Sequence, residues 1–287
     1  MKRIAINGFG RIGRLVFREM FDNGEFEVVA INDLTSPKML AHLLKYDSVQ
    51  KKYDHKIESD ESSIIVDNKK ITIYKEQDAS KLPWKSLDID VVMECTGFYN
   101  SKEKSMAHIN AGAKKVIISA PAGEDLKTIV YSVNEKILSK DDKIVSAASC
   151  TTNCLAPMAN ALNNYAKIKS GIMTTVHAYT GAQRVPVPTG STTILVAVVE
   201  GKNITKESIN EYMKSVSNDS YGYIDEPIVS SDIIGISYGS LFDATQTMVN
   251  KIDEDTYQVQ VVAWYDNEYG YTCQMVRTAS YLMEISE

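Results

Sequence analysis

In the first half of the chain, short apolar runs alternate with segments whose apolar residues recur every three or four positions. Lys2 to Asn7 reads as a strand, and Ile12, Leu15, Val16 and Met20 then fall at helical spacing. Phe26 to Asn32 reads as a second strand. Ser36-Pro37 has the form of a cap followed by proline at the first helical position and predicts a helix to about Tyr46. Residues 51–61 are polar and read as loop. Ile64 to Val66 and Ile71 to Tyr74 flank Asp67-Asn68 and predict a hairpin. Further strands are expected at Ile89 to Cys95, Val116 to Ser119, Ile129 to Val133 and Ile144 to Ala147, with a helix from Ser101 to Gly112 among them. Strands alternating with helices predict a mainly parallel sheet.

After Ser149 the pattern changes. A helix carrying Leu155, Met158, Leu162 and Tyr165 is expected to run to about Lys167, kinked at Pro157. A long strand follows from Gly171 to Thr180, then another from Thr192 to Glu200. Thr205 caps an amphipathic helix through Ile209, Met213 and Val216, and strands recur at Gln246 to Val249 and Tyr257 to Trp264. Long strands with few helices predict a mixed or antiparallel sheet. The final helix shows Met275, Val276, Ala279 and Leu282 on one face. The reading is an α/β chain with residues 1–149 as one domain and 150–266 as an α+β second domain. Its last helix, 267–287, is expected to return to the first.

Composition narrows the function. With 287 residues the chain is long enough for two cores. A net charge of −6 argues against nucleic acid as the main partner. No apolar run reaches the length of a membrane span, and Met1-Lys2-Arg3 leads straight into a strand, so a cytoplasmic protein is expected. Cys95, Cys150, Cys154 and Cys273 have no metal-ligand spacing and the four histidines do not cluster, so no metal site is expected.

Two stretches carry chemistry. Gly8, Gly10 and Gly13 form a Gly-x-Gly-x-x-Gly turn between the first strand and its helix, the context in which such a turn holds a dinucleotide pyrophosphate. Asp33 ends the next strand, where a carboxylate accepts from a ribose hydroxyl and repels a 2′-phosphate, which favours NAD. Cys150 stands where a strand gives way to a helix, with Ser149 able to cap. The positive end of the helix favours thiolate, and lowering a thiol from about 8.5 to about 6 would raise its ionised fraction roughly thirtyfold at neutral pH. His177 is the candidate base. A buried small hydrophobe at Cys150 and a core histidine at His177 remain open on these residues alone.

Larger blocks add a resemblance. Ala5-Ile6-Asn7-Gly8-Phe9-Gly10-Arg11-Ile12-Gly13-Arg14, Glu94-Cys95-Thr96-Gly97, Ser149-Cys150-Thr151-Thr152-Asn153-Cys154, Thr175-Val176-His177-Ala178-Tyr179-Thr180 and Trp264-Tyr265-Asp266-Asn267-Glu268-Tyr269-Gly270-Tyr271 resemble the phosphorylating glyceraldehyde-3-phosphate dehydrogenases. The resemblance implies a Rossmann-type NAD-binding domain, a catalytic domain and a homotetramer. It implies oxidation of glyceraldehyde 3-phosphate to an acyl phosphate through a thiohemiacetal and thioester on Cys150, with His177 as base. Arg11, Ile12, Asp33, Gln77, Thr96, Ser119 and Asn267 would contact NAD, and Ser149, Thr151, Thr180 and Arg184 would hold substrate and inorganic phosphate. Gln77 could equally be an exposed loop residue, and Thr180 and Arg184 a polar pair at a strand end.

The family carries several dozen residues between the HAYT strand and the strand beginning Arg184-Val185-Pro186, including a subunit-contact loop and a second phosphate turn. Here Thr180-Gly181 runs directly into Ala182-Gln183. Losing a helix, a phosphate site and a subunit contact together should damage fold and assembly, so the expectation is that the protein has this segment and the sequence omits it. A true deletion would favour a non-catalytic NAD-binding role. Erythrose-4-phosphate and semialdehyde dehydrogenases are the other enzyme readings, the latter fitting the Cys and Trp264 blocks poorly.

Overall fold

The computed structural model describes residues 1–179 and 187–286, which form two units. The first comprises Met1–Ile129, Glu135–Ala148 and Met275–Glu287, and the second Val130–Asn134 and Ser149–Gln274.

In the first unit, β1 (Lys2–Asn7), α1 (Arg11–Asn23), β2 (Phe26–Asn32) and α2 (Pro37–Lys45) follow the apolar pattern. Ser36 accepts the Met39 N–H as the cap of α2. The polar stretch read as loop contains a short edge strand, β3 (Ile57–Ser59), held by pairing with β4 (Ser63–Val66) and not by any apolar signal of its own. β4 and β5 (Lys69–Tyr74) form the expected hairpin, with Asp67 and Asn68 both at positive φ as a tight two-residue turn requires. β6 (Val91–Glu94), α3 (Lys102–Asn110), β7 (Lys115–Ile118) and β8 (Ile144–Ser146) complete the unit, together with the later part of the last helix. Ile129 to Val133 is not a strand. Thr128 makes a single parallel bridge to Ser146, and the chain then turns, with Ser132 at a φ of 70°.

The sheet order is β3-β4-β5-β2-β1-β6-β7-β8. From β5 to β8 every pairing is parallel, and the order is that of a doubly wound dinucleotide fold. The strand order reverses between β1 and β6, so the carboxyl ends of these strands face the crevice where such sheets bind ligands. Helices on the faces explain why these strands are apolar throughout: Ile4, Ala5, Ile6, Val91, Val92 and Met93 are all buried.

The second unit begins with α4 (Cys150–Tyr165), which runs unbroken through Pro157, and passes directly into β9 (Lys167–Val176), four residues earlier than the sequence suggested. β10 (Ser191–Glu200), α5 (Lys206–Ser215), β11 (Tyr221–Ile224), β12 (Ser240–Asp243), β13 (Met248–Lys251) and β14 (Thr256–Tyr265) follow. The sheet order is β11-β12-β14-β10-β9, with β13 also on β14; only β11 and β12 pair in parallel. β11 and β12 carry too few residues to show a period. α5 has the expected Thr205 cap, completed by a reciprocal bond in which the Ser208 hydroxyl accepts the Thr205 N–H. Leu195, Ala197 and Val199 on one face of β10 join Met158 and Leu162 of α4 in a buried core. The other face has no such cover, and Ile172 on β9 is 77% exposed. The last helix, α6 (Tyr269–Glu284), begins in the second unit and from Met275 belongs to the first. Among the described residues no helix is long and apolar enough to cross a membrane.

One polar cluster fastens the segment after α2 within the first unit. His55 Nδ1 lies 2.6 Å from Asp67 and Nε2 3.0 Å from Asp22, while the Tyr53 hydroxyl donates to Asp22 at 2.6 Å. Partial burial works against charge on His55, but the Asp67 hydrogen bond and the two carboxylate charges outweigh it and raise its pKa. Stability from this group is therefore complete below about pH 6.5 and is lost as pH rises through the raised folded value. His55→Gln should cost more stability at pH 6 than at pH 9 in urea unfolding; an equal cost at both would contradict the assignment.

Candidate functional site

The first unit opens a cleft of about 660 Å³ at the carboxyl edge of its parallel sheet, lined in part by Gly8, Gly10, Asp33, Gln77 and Thr96. The glycines have separate reasons to be there. Gly8 has a φ of 91°, and a Cβ on it would sit 2.8 Å from the carbonyl carbon of Cys95. A Cβ on Gly13 would lie 2.0 Å from the Gly8 oxygen, so the helix could not approach the strand. At Gly10 nothing lies within 4 Å, which leaves open space in front of the first turn of α1. A pyrophosphate fits such a cradle, where helix N–H groups converge on an anion.

Asp33 is fixed by the N–H of Phe9 on one oxygen (2.8 Å) and that of Thr35 on the other (2.9 Å). Each oxygen keeps a lone pair for a sugar hydroxyl. The Gln77 loop is anchored by Tyr99, whose hydroxyl donates to the Gln77 carbonyl at 3.0 Å and accepts the Ala79 N–H at 2.9 Å. The guanidinium of Arg11 is paired with the carboxylate of Asp47 at 2.6 Å. Ile12 is half-buried on the first turn of α1. Ser119 follows β7 at the same sheet edge, its N–H on the Glu94 carbonyl at 3.0 Å. Sequence reasoning missed Asn7, Asn32, Phe98 and Tyr99 as cleft residues. The position of Asn7 and Asn32 at the ends of β1 and β2 was the available signal.

Ala148, the last residue of the first unit before Ser149, has a φ of 60°, a left-handed conformation that turns the chain into α4. The Ser149 hydroxyl accepts the Thr152 N–H at 3.1 Å, so this residue caps the helix as expected. Cys150 occupies the first helical position, with its Sγ 3.3 Å from His177 Nε2. His177 Nδ1 lies 2.7 Å from the Ala178 carbonyl oxygen. A carbonyl only accepts, so Nδ1 carries the proton and Nε2 presents its lone pair to the thiol.

The sequence expectation of a thiol lowered by the helix end is reversed in the packed unit. Burial pushes the thiol up and outweighs donation from the backbone and hydroxyl of Thr151, while the charge of Asp266 adds to the rise. The imidazole of His177 has its accepting nitrogen 3.3 Å from this thiol.

Tyr265 was quoted within a motif without a role, yet it ties the site together. Its hydroxyl lies 3.0 Å from the Thr151 hydroxyl and 3.2 Å from that of Thr175, and its ring meets the His177 ring edge to face. Burial first, tempered by both threonine bonds, pushes its pKa up to about 12, so it stays a neutral phenol. Asn267 Oδ1 accepts from the Ser191 hydroxyl at 3.1 Å and lies 3.1 Å from the Thr189 hydroxyl, whose single proton also faces Asp266 at 3.0 Å, so its Nδ2 points away from them. Ser191 also accepts the Ala178 N–H at 2.9 Å, so one hydroxyl links the residue after His177 to Asn267. Thr180 and Arg184 lie outside the described residues.

Two family models match. One, described as glyceraldehyde 3-phosphate dehydrogenase, NAD binding domain, covers residues 2–102; the other, the C-terminal domain of the same enzyme, covers 149–184 and 180–267. The chain is 48% identical to glyceraldehyde-3-phosphate dehydrogenase of Clostridium pasteurianum over 336 positions that take in all of both chains. It is 50% identical to the enzyme of Lactobacillus delbrueckii subsp. bulgaricus over 330 positions, 96% of this chain and 97% of that one. Against 287 residues here, 336 positions leave 49 of the clostridial chain without a counterpart. The C-terminal match breaks in two at 180–184, so the shortfall falls there. At this point Thr180-Gly181 runs directly into Ala182-Gln183, the place where the sequence analysis expects the omitted segment.

Tyr265→Phe removes one phenol from two threonine hydroxyls and should lower stability by about 1 kcal/mol. That is a fall of a few degrees in melting temperature for a chain of this size. An unchanged melting temperature would show that the phenol does not tie the site together.

Proposed function

Because the chain belongs to the glyceraldehyde 3-phosphate dehydrogenase family, we propose that it oxidises glyceraldehyde 3-phosphate with NAD and inorganic phosphate to 1,3-bisphosphoglycerate, a glycolytic step in the cytoplasm. The observation that carries this reading is the contact between Cys150 Sγ and His177 Nε2 at 3.3 Å, with the imidazole held in the tautomer that accepts. Residues 1–149 act as the cofactor-binding part and 150–266 as the catalytic part, with the final helix serving the first.

Cys150 attacks the aldehyde carbon while His177 Nε2 takes the thiol proton. The carbonyl oxygen becomes an oxyanion beside the Cys150 backbone N–H, one of the helix-start donors that no helical carbonyl takes up. When bound, NAD supplies the two-electron acceptor that turns the thiohemiacetal carbon into a thioester carbonyl. Cys150 then leaves as the sulfur of that thioester when a phosphate oxygen attacks, and the acyl phosphate is released with the thiol restored. Gly8, Gly10, Gly13 and the first turn of α1, with Arg11 and Ile12, seat the pyrophosphate side of NAD. Asp33, Gln77 and Thr96 take the sugar and adenine side, and Ser119 and Asn267 the nicotinamide side. Asp33 disfavours NADP because a 2′-phosphate would bring negative charge to a carboxylate. Ser149, Thr151, Thr180 and Arg184 hold the phosphate groups of substrate and co-substrate, for which hydroxyls and a guanidinium are suited.

The chain works as a homo-oligomer. The helix-free face of the second unit's sheet presents Ile172, Val176 and Met248, each more than half exposed, beside half-buried Ile194, Val196 and Val198. A contiguous apolar face of this kind is a surface for another copy of the chain.

Cys150→Ser tests the assignment. NADH formation from aldehyde, NAD and phosphate should fall to background, while NAD affinity stays within about threefold of the wild type. Substantial turnover by this variant would remove Cys150 from the reaction, and NAD binding without turnover in the wild type would establish the non-catalytic reading instead.

A further inference from the structure

Behind the cleft of the first unit runs a chain of buried polar side chains that the reaction above does not use. Glu94 ends β6 and is 1% exposed, while His108 on α3 and Trp84 are fully buried. The indole Nε1 of Trp84 donates to His108 Nδ1 at 3.0 Å. An indole N–H can only donate, so His108 Nδ1 carries no proton and the ring hydrogen sits on Nε2. That Nε2–H meets Glu94 Oε2 at 3.0 Å, and Asn7 Nδ2 donates to the same oxygen at 2.6 Å. The other oxygen, Oε1, accepts the Thr96 N–H at 2.7 Å and the Thr96 hydroxyl. This hydroxyl in turn accepts the N–H of Phe98 at 3.0 Å. Every neighbour of Glu94 donates, which leaves no acceptor for a carboxyl proton.

The chain continues to the cleft surface. Asn7 Oδ1 accepts from Asn32 Nδ2 at 2.7 Å. Asn32 is closed by two bonds with the backbone of Glu76, donating to its carbonyl and accepting its N–H, both at 2.9 Å. Asn7, Asn32, Glu76 and Thr96 all line the cleft, whereas Glu94, His108 and Trp84 do not. The direction of each hydrogen bond is thus set from the core outward. Trp84 selects the tautomer of His108, the two acceptor oxygens of Glu94 select the faces of Asn7 and Thr96, and Asn7 selects the face of Asn32. An asparagine amide can turn by 180° at little steric cost, which exchanges a donor for an acceptor. Glu94 removes that freedom at Asn7.

We propose that Glu94 and His108 are positioning residues of the dinucleotide cleft, holding the Asn7 amide and the Thr96 turn in the orientation that NAD meets. The proposal rests on the cofactor reading above. Glu94→Gln keeps the shape but places an amide NH₂ among four donors, so the Asn7 side or the Thr96 side must turn away. His108→Leu removes one donor and frees the indole. His108→Gln keeps a donor at the reach of Nε2 and is the conservative rescue.

The test is NAD affinity of the full chain by calorimetric titration, with melting temperature and near-ultraviolet circular dichroism read in parallel. Glu94→Gln and His108→Leu should each weaken NAD binding about tenfold or more, and His108→Gln should stay within about threefold of wild type. Packing alone would lower the melting temperature without moving the affinity of folded protein, so folded Glu94→Gln and His108→Leu that bind NAD like wild type would overturn the proposal. Should those variants not fold, nitrogen-15 imidazole shifts of the wild type decide. The Nε2–H tautomer at His108 is expected, and a proton on Nδ1 at neutral pH would overturn it. A wild type that binds no NAD would overturn the cofactor reading beneath it, an outcome distinct from variants that bind normally.

Discussion

A thiol buried at the start of a helix experiences two opposed effects. The helix end favours the anion by a modest amount, and loss of water opposes it by more. At Cys150 burial prevails, so the proposed reaction needs a base, and His177 Nε2 lies 3.3 Å from the sulfur with its lone pair free. Both features trace to one short stretch. β9 ends at Val176, and His177 lies in the extended chain beyond it, its Nδ1 against the carbonyl of the next residue. The Tyr265 ring and the Ser191 hydroxyl hold that stretch from β14 and β10. The register of three strands therefore fixes the position of one imidazole, and a shift by a single residue would turn these side chains to the opposite face.

The first unit solves a different problem by related means. Its cleft exists because three glycines leave out side chains, one for a left-handed turn, one for close approach of helix and strand, and one for open space. The polar groups around that space are not left to solvent. Asp33 is tied to the glycine turn through the Phe9 amide, and Asn7, Asn32 and Thr96 connect back to a buried carboxylate. A site whose directions of donation are set from the core costs less to order when a ligand arrives.

How much was legible in the sequence follows from the range of each signal. The strands of the parallel sheet were readable because they are apolar on both faces, and the caps at Ser36, Ser101 and Thr205 because capping is local chemistry. β3, β11 and β12 were missed because three or four residues cannot display a period, and pairing partners define them. Ile129 to Val133 looked like a strand because it is apolar, but it turns after one bridge. Among candidate site residues, the glycines, Asp33, Cys150 and His177 are visible in the sequence as motifs. Tyr265 and Thr175 sit inside quoted motifs without a role, and Ser191 lies outside them: their roles come from contacts between residues 13 to 114 positions apart. The direction of the Cys150 shift was misread for the same reason, since burial is a property of the packed unit and a helix start is visible in the sequence.

The central claim is that His177, and not the helix end, makes Cys150 a nucleophile. The most direct measurement is the rate of Cys150 alkylation by iodoacetamide as a function of pH, in the wild type and in His177→Asn. The account predicts a reactive thiol near neutral pH in the wild type. In the variant it predicts a loss of at least about tenfold there, with reactivity recovered only at alkaline pH. Equal rates for the two proteins at neutral pH would contradict it and return the nucleophile to the helix alone.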